Sequence, residues 1–282
     1  MTTFHSTART TELTTAGQLE NTFIAWDNKA ALSTTVLGGT STLTDGAAAN
    51  AVSGTTYDYW LPNITGTSAQ FTVKLTAAAN LSCFAIAAHN LSTLGGTVAV
   101  QRSTDGGATW GVPGTLTTVT PTDNSPIVFR IATSGLSSAD WRLNFTGLTA
   151  SAPLYVGVAF FGNDVVFPRR FYKDFAPAME PTEVQLQSNV SVGGNLLGNS
   201  VIAQGSALAA SFRNLDAAWV RGTLLPFMPY YNKGKGFFFG WRPATYPQDV
   251  HYCWRDGATL RPTNAGPLAF MSLEMQMRAH EA

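Results

Sequence analysis

The stretch LSCFAIAAHNLSTLGGTVAVQRSTDGGATW, residues 81–110, decides the reading of the fold. It opens on a nearly continuous apolar run, the composition of a strand covered on both faces. It continues as "GGTVAVQRS", which alternates, with Val98 and Val100 on one face, as a half-buried strand does. Asp105, Gly106 and Gly107 then supply turn chemistry. With the further strands of the same kind on either side, this spacing predicts an antiparallel β-sandwich.

The pattern extends on both sides. "AQFTVKLTA" places Phe71, Val73 and Leu75 on one face, and "PIVFRIA", "DWRLNFTGL" and "PLYVGVAFFG" are short, β-branched or aromatic runs bounded by Gly, Pro, Ser or Asp. The stretch "GNDVVFPRRFYKDFAPAMEP", 162–181, breaks the pattern with three prolines and marks a boundary. Beyond it the chain reads as α+β. Asp216 is placed to N-cap a helix over "AAWVRGTLLPFM", weakened by Gly222 and bounded by Pro226. The last strand, "PLAFMSLEMQMRA", puts Ala269, Met271, Leu273, Met275 and Met277 on one face. Residues 1–20 are polar and Thr-rich and are expected to be an arm that orders only against a neighbour. The division expected is therefore an arm over 1–20, a sandwich over 21–163 and a second domain over 164–282.

Composition narrows the function classes. Of 282 residues, 45% are hydrophobic and only 12% charged, about half the usual charged share. The formal net charge is zero, so no basic surplus exists to neutralise phosphates, and no nucleic-acid partner is expected. No apolar run approaches the ~18 residues of a membrane span, so no membrane insertion is expected. The N-terminus lacks the apolar core of a secretory signal. Cys83 and Cys253 lie in apolar runs and read as buried free thiols, and His5, His89, His251 and His280 have no ligand-like spacing. No metal and no cofactor are expected.

Ser103, Asp105, Gly107, Thr109 and Trp110 spell S-x-D-x-G-x-T-W, which resembles the Asp-box hairpin of sialidases. Its parts are structural: a carboxylate for turn amides, glycines for unusual torsions, an aromatic lid. Propeller enzymes repeat such units every ~40–50 residues, and here the motif occurs once. No G-x-S-x-G elbow is present, and the aspartates around the motif sit beside turns. Catalysis is not expected, and His89 reads as a histidine fixing its loop. Trp60 and Trp110 are the candidate glycan contacts. Phe237, Phe239, Trp241, Arg242 and Trp254, within "FFFGWRP" and "HYCWRDG", are the candidate assembly interface, with the arginines stacked on rings or paired to a carboxylate across a subunit boundary.

Taken together, "AIAAHNLSTLGGTVAVQRSTDGGATW", "DYWLPN" and "DWRLNFTG" resemble a discoidin-like (galactose-binding-like) β-sandwich of tailed-phage proteins. "SVGGNLLGNSV", "GFFFGWRPATYPQDVHYCW" and the Met-rich last strand resemble the assembly domain of phage distal-tail or minor tail proteins. The resemblance implies a mainly β chain: an antiparallel discoidin-like sandwich followed by a β-rich α+β tail-assembly domain. It implies a structural protein of a long-tail tip or baseplate, made in the host bacterial cytoplasm and built into the virion. Its implied partners are other tail-tip proteins and copies of itself, as a trimer or hexamer. The alternative is a carbohydrate-binding adhesion module for host surface glycans.

Overall fold

The computed structural model describes residues 3–149, 152–170, 183–266 and 269–280. The chain is mainly β, as expected, and its strands form three stacked sheets. The front sheet has the order β3 (Val36–Gly39), β4 (Ser68–Ala79), β8 (Ser138–Thr146), β6 (Thr97–Ser103), all antiparallel. The middle sheet has the order β1 (Thr3–His5), β7 (Ile127–Arg130), β5 (Cys83–His89), β9 (Val156–Gly162). The back sheet runs β10 (Asp164–Val166), β2 (Phe23–Ala25), β13 (Phe237–Gly240), β14 (Val250–Arg255), β16 (Phe270–Ala279), β12 (Leu196–Asp216), β11 (Glu183–Val190), with β15 (Thr263–Asn264) paired to β16.

Front and middle sheets enclose the first core, and the apolar run at 81–91 shows how. Phe84 and Ile86 of β5 point into that core beside Phe71, Val73, Trp141 and Phe145. The alternate residues of β5, Cys83, Ala85 and Ala87, are small and face the back sheet, where they meet Phe23, Phe238 and Tyr252. Every residue of β5 and β9 is therefore buried, whereas β4 alternates. Small side chains on one face of β5 let the two sheets approach closely, and large ones on the other fill the sandwich.

The outer face of the back sheet carries a third core. α2 (Ala217–Trp219), a wider π turn over Val220–Leu224, and α3 (Phe227–Asn232) lie against it. Asp216 caps α2 by accepting from the N–H groups of Ala218 and Trp219 at 2.7 and 3.1 Å. Val220, Leu224, Phe227 and Tyr231 recur at helical spacing and are all buried. Pro226 does not end this segment: it sits at the N-cap of α3. Having no N–H, it breaks the ladder at that point, and its ring crowds the carbonyl four residues back, so the turn before it widens.

Two sequence expectations meet a different arrangement. Residues 3–15 order against their own chain: β1 pairs in parallel with β7, and α1 (Thr7–Thr15) follows, capped by Ser6. Strand pairing uses main-chain groups, so the short Thr-Phe-His strand can pair without an apolar pattern. Second, Phe23–Ala25 belongs to the back sheet and not to the sandwich. It pairs with both β10 and β13.

A buried ionic cluster ties these parts together. Arg130 of β7 and Asp164 of β10 have fully buried side chains and form a salt bridge, in which Arg130 Nε donates to Asp164 Oδ2 at 2.9 Å. Arg9 of α1 donates to the same oxygen at 2.6 Å, and Ser82 Oγ donates to Asp164 Oδ1 at 2.7 Å. The Arg130 guanidinium also lies 4.2 Å from the Phe23 ring centroid and 3.2 Å from His5 Nε2. One carboxylate thus joins the N-terminal segment, the middle sheet and the back sheet.

Candidate functional site

The S-x-D-x-G-x-T-W segment is a closed hairpin, with Arg102 and Gly111 exchanging both main-chain hydrogen bonds. Ser103 Oγ donates to Asp105 Oδ1 at 2.6 Å and accepts from the Gly107 N–H at 2.8 Å. Asp105 accepts from the Thr109 N–H at 2.9 Å and from the Thr109 hydroxyl. Hydrogen bonds from Ser103 and then Thr109 hold the Asp105 carboxyl well below the usual carboxylate range. Gly106 and Gly107 have φ of 76° and 95°, torsions that exclude most side chains. Trp110 closes the turn by donating to Gly107 O at 3.0 Å, and the Arg142 guanidinium covers its ring at 4.3 Å. The side-chain hydrogen bonds of the motif all stay within the hairpin. Asp105→Ala is expected to leave the sandwich folded and to accelerate amide hydrogen exchange at Thr109. Unchanged exchange at Thr109 in an NMR comparison would contradict this role.

His89 is held through both ring nitrogens. The Leu91 N–H donates to Nδ1 at 3.3 Å, so Nδ1 is the acceptor and Nε2–H donates to Ser125 O at 3.1 Å. Burial lowers its pKa to about 4, against the opposing effect of the Ser125 bond. The imidazole is therefore a neutral clamp on the 89–92 loop.

The proposed contact residues separate. Trp60 is completely buried, packed edge-on against Phe71 at 5.1 Å, so it is a core residue and presents no face to a glycan. Its neighbours in "DYWLPN" suggest a loop, and the bridge Trp60↔Val156 draws the ring inward. Trp110 is half-buried, with one face taken by Arg142. Phe237 and Phe239 are likewise core, at 1% and 0% exposure, because β13 is an interior strand with both faces packed. Trp241 is half-buried and stacks on Tyr246 at 5.4 Å with the rings 4° apart. Arg242 lies over the same rings, and its carboxylate partner is Glu20 of the same chain at 3.6 Å, not a subunit neighbour. Trp254 is half-buried on β14. Cys83 and Cys253 are free and buried, and burial pushes both thiols up. Among the described residues no group of three His, Cys, Asp or Glu side chains could hold a metal ion, and no helix is long and apolar enough to cross a membrane.

A cleft of about 500 Å³ opens at the seam between the middle and back sheets. The buried residues Val158 and Phe160 of β9, Phe238 of β13 and Tyr252 of β14 contribute its apolar surface. Trp26 and Asp27, immediately after β2, line it together with Tyr230 of α3 and Lys235. Trp26 is held by Tyr230 and Phe227 at ring distances of 5.2 and 6.0 Å. Tyr230 donates to Gly236 O at 2.7 Å, Tyr252 donates to Gly54 O at 2.7 Å, and both hydroxyl oxygens keep acceptor capacity. Burial, followed by the charge of Asp27, raises the Tyr230 pKa to about 12, so the hydroxyl stays protonated. Lys29 is paired with Asp27, and the Lys235 ammonium lies 5.3 Å from the Tyr230 ring. The local signal was present in the sequence: "IAWDNK" places an aromatic beside Asp and Asn at the end of a short strand. What it lacked was its partner, since Tyr230 lies some two hundred residues away in sequence.

No protein-family model matches the chain, and no curated protein matches it. Among solved structures it is similar to a Ruminococcus gnavus GH29 fucosidase in complex with fucose, at 12% identity and a TM-score of 0.40, over 49% of this chain and 27% of the fucosidase. It is also similar to the CpGH89CBM32-6 protein of Clostridium perfringens, at 19% identity and a TM-score of 0.37, over 48% of this chain and 98% of that one. A third is chitosan-binding module 2 from the chitosanase/glucanase of Paenibacillus sp. IK-5, in complex with chitotriose, at 14% identity and a TM-score of 0.39, over 47% of this chain and 98% of the module. The chain thus spans about a quarter of the fucosidase's length.

Proposed function

We propose that the protein binds a carbohydrate in adhesion, through the cleft between the middle and back sheets, and does not turn it over. The observation that carries this reading is the juxtaposition of Trp26, on an apolar floor, with the Asp27 carboxylate, two tyrosine hydroxyls and Lys235. A pyranose has an apolar C–H face and a rim of hydroxyls. An aromatic ring takes the first, and a carboxylate and hydroxyls take the second. Glycoside hydrolysis calls for two carboxyl groups about 5–10 Å apart across the bond. Asp27 is the one carboxylate among the described cleft-lining residues. Titrating host-surface oligosaccharides into the intact protein, followed by tryptophan fluorescence and calorimetry, tests the reading. Binding is expected, and Trp26→Ala is expected to weaken it by about 2 kcal/mol, roughly thirtyfold, with Trp110→Ala close to wild type. A wild-type protein that binds nothing in a broad panel, or a Trp26→Ala variant that binds as well, would overturn it.

The second reading is a structural component of a phage tail tip or baseplate, assembled from several copies. The long β11–β12 hairpin favours it, because this element leaves the body of the protein and presents apolar side chains to solvent. Deleting the hairpin and examining particle assembly separates the two: loss of assembly with glycan binding intact supports the structural role.

A further inference from the structure

β12 is one strand of 21 residues with two partners in succession. From Leu196 to Gly205 it pairs with β11, and from Ser206 to Asp216 it pairs with β16. The β11–β12 hairpin therefore runs past the end of β16, with no third strand beside it among the described residues. Val184, Leu186, Val190, Val192, Leu196, Leu197, Val201 and Ile202 on it are all about half exposed or more. Leu186 sits opposite Val201 and Val190 opposite Leu196, so cross-strand apolar pairs are displayed on the hairpin surface.

We propose that this hairpin is a docking element for a second copy of the same chain, hairpin against hairpin. Four features choose that occupant. The sequence from Val184 to Phe212 contains no charged residue, so identical hairpins approach without repulsion, whereas an anionic lipid surface or nucleic acid would find no cation there. Among the described residues no strand pairs with the outer edge of β11 over 183–190 or of β12 over 196–205, and an open edge is self-complementary under a two-fold axis. A two-stranded ribbon is marginal alone, while four strands with a shared apolar face are a stable unit. The span 183–205 also matches the roughly 20–30 residues a side of an ordinary interface. This inference goes beyond the glycan reading and survives its failure, and it holds whether or not the particle is a phage tail.

The test is the mass of the full-length chain by light scattering and sedimentation over a wide concentration range. Wild type is expected to associate, and Leu186→Lys/Leu196→Lys to raise the apparent Kd by roughly tenfold or more with an unchanged thermal transition. A wild-type chain that stays monomeric, or a variant that keeps the wild-type mass, overturns the proposal. Should the variant precipitate, amide exchange on wild type decides. Protection over 184–202 that disappears on dilution supports docking, and protection independent of concentration overturns it.

Discussion

Asp164→Asn is expected to lower the stability of the fold by about 3–5 kcal/mol, the usual effect of removing one partner from a buried ion pair. Burial by itself pushes the Asp164 carboxyl up. The charges of Arg130 and then Arg9, with hydrogen bonds from Ser82 and Arg130, more than reverse that, and the group sits well below the usual carboxylate range. Neutralising it leaves a completely buried Arg130 and a nearly buried Arg9 without their shared counter-charge. The effect should spread to α1, because Arg9 anchors that helix and Glu12 reaches on to the Thr133 N–H at 3.2 Å. Denaturant midpoints check the magnitude, and proteolysis within residues 3–15 checks the spread. A loss below about 1 kcal/mol would mean that the cluster contributes no more than a surface pair. The triple replacement Arg9→Met/Arg130→Met/Asp164→Leu should recover much of the loss, since it removes both cations with their shared carboxylate and apolar side chains of similar size carry no desolvation cost.

Acid is expected to destabilise the protein from about pH 6.5 downward, well above the range where carboxylates titrate. Three histidines, the buried His89 and the half-buried His5 and His251, are held in neutral form. Burial, followed by the charge of Arg130, lowers His5 to about 3, and burial lowers His89 and His251 each to about 4. An unfolded histidine protonates near 6.5. Between that pH and the folded value the unfolded chain therefore binds more protons, and stability falls as pH falls. Each histidine contributes a slope of roughly 1.4 kcal/mol per pH unit, so the three together approach ~4 kcal/mol per unit between pH 6 and 5. Below about pH 4 Asp164 adds to the loss, because its folded pKa is depressed and protonation favours the unfolded chain. Stability measured at pH 7, 6 and 5 gives the slope directly. His251 offers the cleanest variant: its Nε2 is buried without a hydrogen-bond partner, so His251→Leu removes a titrating group and breaks no bond made by that atom. It should flatten the profile by about a third, and a flat wild-type profile from pH 7 to 5 would overturn the account.

The sequence exposed the sheets more readily than their partners. Alternation in β4, β6 and β16 placed Phe71, Val98 and Met275 correctly, and the apolar run through β5 announced two covered faces. What covers the second face was not legible, because Phe23, Phe238 and Tyr252 approach β5 from distant segments and leave no local periodicity. β1 escaped notice because its pairing is carried by main-chain groups under Thr, Phe and His side chains. Trp60 and Phe237 misled for a common reason: an aromatic beside Asp, Gly or Pro looks like a surface contact until tertiary packing draws it inward. The Asp-box geometry was readable because all of its bonds are local, and the cleft was not because its two aromatic walls are joined only by the fold.

Adjacent pairing of β2 with β10 has a mechanical consequence. The chain leaves the back sheet after Ala25, builds the front sheet and most of the middle one, and returns at Asp164, the residue paired with Ala25. Entry and exit are thus two hydrogen-bonded straps side by side, not a single tether about which the sandwich could swivel. With Cys83, Ala85, Val128 and Phe160 packed across the same junction, hinge motion would have to break straps and core together. The two walls of the cleft keep a constant separation, so a ligand entering it meets a rigid jaw whose shape was set when the chain folded.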